Sequence, residues 1–198
     1  MPRIGLYGGS FDPVHLGHLM VAHAALEEAR LDKLIFIPAA LSPFKPSQTP
    51  APAAARVAML RGSLAGLAWA EVDLQEIERG GTSYTIDTVM DWRRQAPDAE
   101  LFYIIGADHV PSLGKWRASA RLASEVTFLV VPRPGEKLPE IPEGFCLQPL
   151  VGHPVSISSS DIRRRIQEGR SVGQLLPSFA AQFVVAHQLY SEERGRHA

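Results

Sequence analysis

Four stretches of the chain are apolar at nearly every position: Ile4-Gly5-Leu6-Tyr7, Lys33 to Pro38 (KLIFIP), Leu101 to Ile105 (LFYII) and Val126 to Val131 (VTFLVV). A strand with one wet face alternates apolar and polar residues. These do not alternate, so both of their faces must be covered. Between them lie segments with helical spacing. The first follows Pro13, where Leu16, Leu19, Met20, Ala24 and Leu26 mark a helix reaching about Leu31. Buried strands alternating with helices predict an α/β fold with a mostly parallel sheet. Ligands of such sheets sit at the carboxyl ends of the strands, where the strand order reverses. Chemistry is therefore expected in the residues that directly follow strands.

The rest of the chain fits that alternation. Prolines 38, 43, 46, 50 and 52 make residues 38–52 a loop, because each removes a backbone donor. Helices are expected at about 53–65, 84–95 and 116–124, with a strand at 70–78. A Pro/Gly-rich connection over 132–145 leads to a weaker strand at 145–150. Two helices, about 160–168 and 178–192, precede a polar tail. At 198 residues the length favours one domain over 1–198, with a helical C-terminal segment (about 159–192) packed on it.

Composition narrows the function. With 20 Lys+Arg against 21 Asp+Glu the net charge is -1, which argues against a nucleic-acid polymer as partner. A single cysteine, Cys146, excludes an intrachain disulfide framework and points to a reducing cytoplasm. No run approaches 18 apolar residues, so no membrane span is expected. The start, Met1-Pro2-Arg3-Ile4-Gly5, has no cleavable signal layout. Lysine occurs only at 33, 45, 115 and 137. Nearly all positive charge is arginine, the better side chain for forked recognition of phosphate or carboxylate.

Three features follow strands. Gly8-Gly9-Ser10-Phe11-Asp12-Pro13-Val14-His15-Leu16-Gly17-His18 leaves the first strand and enters the first helix. Its glycines permit unusual φ and close approach of a ligand, and the helix start offers free N–H groups to an anion. His15 and His18, three apart, share one helix face. Neither GxxxxGK[ST] nor GxGxxG is present, so this is neither a P-loop nor an ordinary dinucleotide turn. The plainer alternatives are a tight turn with two surface histidines, or a zinc pair, which lacks a third ligand. Secondly, Ser156-Ile157-Ser158-Ser159-Ser160-Asp161-Ile162-Arg163 reads as a capped helix start with hydroxyls and guanidiniums suited to a polyphosphate. A capped surface helix with a solvated arginine face is its alternative. Thirdly, Ile104-Ile105-Gly106-Ala107-Asp108 runs a buried strand into a glycine and a carboxylate, and Trp116 follows, a core residue on composition alone.

GGSFDPVHLGH is similar to the GxFxPxHxGH signature of the nucleotidyltransferase superfamily that shares HxGH with class I aminoacyl-tRNA synthetases. Its GGSFDPxHxGHL wording resembles the bacterial nicotinate mononucleotide adenylyltransferases. SISSSDIR is similar to the superfamily's ISSTxIR motif, and IIGADxxxxLxxW, GTSYT and VPRPG resemble further family segments. The resemblance runs in order from residue 3 to about 190. It implies a Rossmann-like, doubly wound sheet with helices on both faces and a small helical C-terminal part. By it, His15 and His18 touch the phosphates and stabilise charge in a pentacoordinate transition state. Gly8, Gly9, Ser10, Phe11, Lys45, Gly106, Asp108, Arg133, Ser158, Ser159 and Arg163 bind ATP. Tyr84, Thr85 and Trp116 receive the mononucleotide, with Trp116 stacked on the pyridine ring. Arg164, Arg165 and His23 fall outside the motifs, and both arginines are expected in solvent. One loop departs: where relatives carry an Asn and a PPHK-like sequence, this chain has Ala39 and Phe44 before Lys45.

The implied reaction is adenylyl transfer from ATP to nicotinate mononucleotide, with Mg²⁺ held mainly through the ATP phosphates and no metal site in the protein. A sister transferase with a phosphopantetheine or glycerol-phosphate acceptor, or a non-catalytic nucleotide-binding regulator, are the competing readings. A homo-oligomer is left open.

Overall fold

The computed structural model describes residues 1–42, 49–132, 135, 139–152 and 156–191. Six strands form one sheet: β1 (Arg3–Gly9), β2 (Lys33–Pro38), β3 (Ala70–Val72), β4 (Glu100–Gly106), β5 (Thr127–Val131) and β6 (Leu147–Pro149). Their order is β3-β2-β1-β4-β5-β6, and all five pairings are parallel. This is the doubly wound order, and it reverses between β1 and β4, the pair in which Gly5 faces Phe102 and Leu6 faces Tyr103.

The continuous apolar runs are sorted residue by residue onto two faces. Leu34, Phe36, Phe102, Ile104 and Leu129 belong to one core, with α1 (Leu16–Glu28), α2 (Ala53–Leu64), α6 (Ser159–Gln167) and α7 (Ser178–Ala186). Ile35, Ile37, Leu101, Tyr103, Ile105, Phe128 and Val130 belong to the other, with α4 (Thr85–Gln95) and α5 (Ser119–Glu125). The period-two geometry of a strand explains why no polar residue interrupts these runs: each side chain enters one core or the other. Each full burial is worth roughly 1.5–3 kcal/mol, which is what holds the helices on both faces.

Several boundaries differ from expectation. The strand expected at 70–78 stops at Val72, since Asp73 accepts the N–H of Gln75 at 3.0 Å and starts the short α3 (Gln75–Arg79); a side-chain acceptor there competes with the sheet ladder. The first helix ends at Glu28 rather than near Leu31, followed by a left-handed Arg30 (φ 48). A 3-10 segment, Ala107–Lys115, precedes α5. The last helix ends at Ala186, not at 192, and Gln188 (φ 51) and Tyr190 (φ 65) turn the chain back on itself. Among the described residues no helix is long and apolar enough to cross a membrane.

Candidate active site

The site is built on the turn that leaves β1 at the reversal point. The unusual backbone expected of its glycines falls instead on Phe11 (φ 46), whose ring is buried against Tyr7, Phe36 and His18. Gly8 serves another purpose: a Cβ there would overlap the Tyr103 hydroxyl of β4. His15 is not on the helix face with His18. It occupies the position before α1 in extended conformation (φ -140, ψ 168), and the two imidazoles stack, centroids 3.6 Å apart and planes 24° from parallel. The His15 N–H donates to His18 Nδ1 at 3.1 Å, so neutral His18 carries its proton on Nε2.

The two histidines sit in different environments. His18 lines a cavity of about 370 Å³. His15 is buried behind it, its Nδ1 has no hydrogen-bond partner among the described residues, and burial lowers its pKa to about 4. Gly17 makes room for the pair: a Cβ at that residue would lie 3.0 Å from His15 Nδ1 and 3.1 Å from its Cε1.

Gly9, Ser10, Phe11, Ser159 and Arg163 line the same cavity. The amino end of α6 is docked there by long-range bonds. Ser159 Oγ donates to the Pro13 carbonyl at 2.9 Å, and Arg163 Nη1 donates to the Asp12 carbonyl at 2.7 Å. Two further residues join them that motif reasoning left without a role. Arg56 of α2 is 1% exposed and lines the cavity, donating from Nη1 to the Ser10 carbonyl (2.7 Å) and from Nε to the Ala51 carbonyl (3.1 Å). Asp12 is buried beside it, Oδ2 3.8 Å from Arg163. Two guanidiniums, an imidazole and a helix amino end in one cavity suit a polyanion. Arg56 had a signal in the sequence: it stands on the buried stripe of its helix with Met59 and Leu60, where a cation needs a reason.

A second cavity, about 320 Å³, shares Gly9, Ser10, Ala39 and Ser42 with the first. Thr85, Tyr103, Gly106, His109 and Trp116 line it. Trp116 is half-buried, meets Phe128 edge to face at 6.2 Å, and donates from Nε1 to Ser112 Oγ at 3.2 Å. The indole is thereby fixed with core on one side and cavity on the other. The loop after β2 is tied to the same cavity, since Ala40 N–H donates to Ser83 Oγ at 3.0 Å and Ser83 N–H to the Leu41 carbonyl at 2.9 Å.

The expected site residues are not all brought together. Gly9, Ser10, Phe11, His18, Ser159 and Arg163 meet in the first cavity; Gly8, Thr85, Gly106 and Trp116 line the second. Ser158 instead caps α6, its Oγ accepting the Asp161 N–H at 3.1 Å. Tyr84 is turned outward under the Arg117 guanidinium, 4.8 Å from its ring centre. Asp108 is exposed and lies off the cavity lining. Lys45, Phe44 and Arg133 lie outside the described residues. Arg164 is exposed as expected and pairs with Asp161 and Glu168. Arg165 is half-buried rather than solvated, Nη2 reaching the Ser171 carbonyl at 3.5 Å, because helical periodicity sets it next to the inward Ile162 and Ile166. Among the described residues no group of three or more His, Cys, Asp or Glu side chains could hold a metal ion.

The cytidylyltransferase-like family model matches residues 6–165. A protein of Gemmatimonas aurantiaca is 43% identical over 197 residues, covering 96% of this chain and 93% of its own. One of Thermus thermophilus is 43% identical over 188 residues, covering 95% and 99%. Both bear the name "Probable nicotinate-nucleotide adenylyltransferase". The chain belongs to this adenylyltransferase family. Its fold is shared with the nicotinic acid mononucleotide adenylyltransferase of Plasmodium falciparum, solved in complex with NaAD, at a TM-score of 0.77 and 18% identity over 96% of this chain and 98% of that one. Membership makes the chain a nucleotidyltransferase.

Proposed function

We propose that the two joined cavities hold ATP and nicotinate mononucleotide for transfer of the adenylyl group, giving nicotinate adenine dinucleotide and pyrophosphate. The observation that carries this reading is the junction. A cationic cavity with Arg56, Arg163 and His18 meets an aromatic one with Trp116 at the backbone of Gly9 and Ser10. The β- and γ-phosphates suit the first cavity, and the pyridine ring suits the second, where an indole face meets an electron-poor ring.

The step is in-line. A phosphate oxygen of the mononucleotide forms a bond to the α-phosphorus, while the bond from that phosphorus to the bridging oxygen breaks. Pyrophosphate leaves with the electron pair. The attacking oxygen is already anionic near neutral pH, so no strong base is needed, and positioning with charge stabilisation supplies the acceleration. His18, with Nδ1 held by the backbone and its ring at the cavity wall, is the imidazole that meets the transferring phosphoryl group. His15 holds that ring by stacking from behind. The cavity's donors suit a cation that arrives with its ligand: the Asp12 carboxylate is already engaged, one oxygen by Tyr190 and Ala51, the other beside Arg163. Mg²⁺ would thus ride on the phosphates and neutralise their charge. A reducing cytoplasm is the proposed setting, from cysteine usage.

Pyrophosphate release from ATP, followed with each acceptor in turn, tests the reading. Nicotinate mononucleotide is expected to support the fastest release. Release only with phosphopantetheine or glycerol phosphate would assign a sister reaction. ATP binding without release to any acceptor would make the chain a regulator.

A further inference from the structure

We propose that Tyr190, beyond the last helix, is a positioning residue for the triphosphate cavity, acting through Asp12 on Arg163. The inference rests on the reading of that cavity as the phosphate site.

A buried carboxylate beside a polyanion site works against binding, since it repels the ligand, and Asp12 therefore needs another reason to be there. Its contacts supply one. Oδ1 accepts from the Tyr190 hydroxyl at 2.7 Å and from the Ala51 N–H at 3.2 Å. Two donors on one oxygen fix the plane of the carboxylate and leave Oδ2 toward Arg163, 3.8 Å away. Arg163 also donates to the carbonyl of the same residue at 2.7 Å. The guanidinium is thus seated on residue 12 at two points, and it lines the cavity from that seat.

Tyr190 comes to Asp12 from 178 positions away by an arrangement with a cost. Gln188 and Tyr190 both take left-handed backbone (φ 51 and 65), which is unfavourable for a residue with a Cβ. Leu189 N–H closes the turn on the Val184 carbonyl at 3.0 Å. The phenol is a dependable donor, because burial first and the Asp12 charge second hold its pKa well above the ordinary value. The same C-terminal segment presses on the other cation-bearing element. The Phe179 ring of α7 packs directly on Gly62 of α2, the helix that carries Arg56. Without the Tyr190 hydroxyl, Asp12 is free to rotate toward the cavity or to hold Arg163 more closely, and either change weakens triphosphate binding.

Tyr190→Phe removes only the hydroxyl. In calorimetric titrations of the full chain its Kd for ATP and for tripolyphosphate is expected to rise roughly three- to tenfold, the worth of one net hydrogen bond. The Kd for nicotinate mononucleotide should stay within twofold. In an Asp12→Ala background the same substitution should add nothing to the loss, because it acts through that carboxylate. Unchanged tripolyphosphate binding, equal losses for both substrates, or an effect that simply adds to that of Asp12→Ala would each overturn the role of Tyr190. Tripolyphosphate has neither base nor acceptor, so it reads the cavity independently of the reaction. Absence of pyrophosphate release from the unmodified chain would instead overturn the proposed reaction.

Discussion

The imidazoles of His15 and His18 lie face to face at 3.6 Å, yet only His18 borders the cavity in which the phosphates are proposed to bind. Three residues apart in sequence, they differ in kind. His18 has Nδ1 held by the backbone and its ring at the cavity wall, whereas His15 is enclosed and kept neutral by burial.

His18→Ala should leave the fold intact by circular dichroism and lower kcat by roughly 10²–10⁴-fold, the range for losing one transition-state stabiliser. Near-normal turnover in that variant would remove His18 from the chemistry.

The burial of His15 makes stability depend on acid. In the unfolded chain it titrates near 6.5 and in the native one near about 4, so between those values the unfolded state binds the extra proton. This contribution is complete above pH 6.5 and lost progressively as pH falls toward 4. It amounts to about 3 kcal/mol at most. Urea unfolding at pH 7, 5.5 and 4.5 should show a shallower loss for His15→Gln than for the unmodified chain. Identical slopes would mean that His15 is not held neutral.

Gly17→Ala places a methyl group against the His15 ring. The expected result is a drop in kcat of roughly tenfold or more from displacement of the stacked pair, with the melting temperature little changed. Unaltered kinetics would show that the pair has room to spare.

Trp116→Ala should raise KM for the mononucleotide about tenfold through loss of stacking and buried area, while KM for ATP stays within twofold. If the mononucleotide KM does not move, the indole is a core residue and no platform.

How much of this the residues announced depends on how far each signal reaches along the chain. The uninterrupted apolar runs settled a parallel sheet covered on both faces, because strand geometry leaves them no wet side. The turn after β1 and the start of α6 were marked by local chemistry: hydroxyls, glycines and histidines at short spacings. Distance hid the rest. Whether His15 lies on the helix or before it follows from backbone angles that spacing does not encode. Tyr84 and Asp108 belong to the motif segments yet line neither cavity, since neighbours in sequence point in different directions. Arg56 carried only a faint mark, a cation on a buried stripe, and Asp12 lay inside a motif with no stated part. Tyr190 carried none. Its partner is 178 residues away, and the packing of the C-terminal segment on the core beside the first turn brings the two together. Local physics decides strands, caps and turns from the sequence alone. Which charges meet across the sheet is decided by tertiary packing, because an ion pair or hydrogen bond requires proximity that no local pattern records.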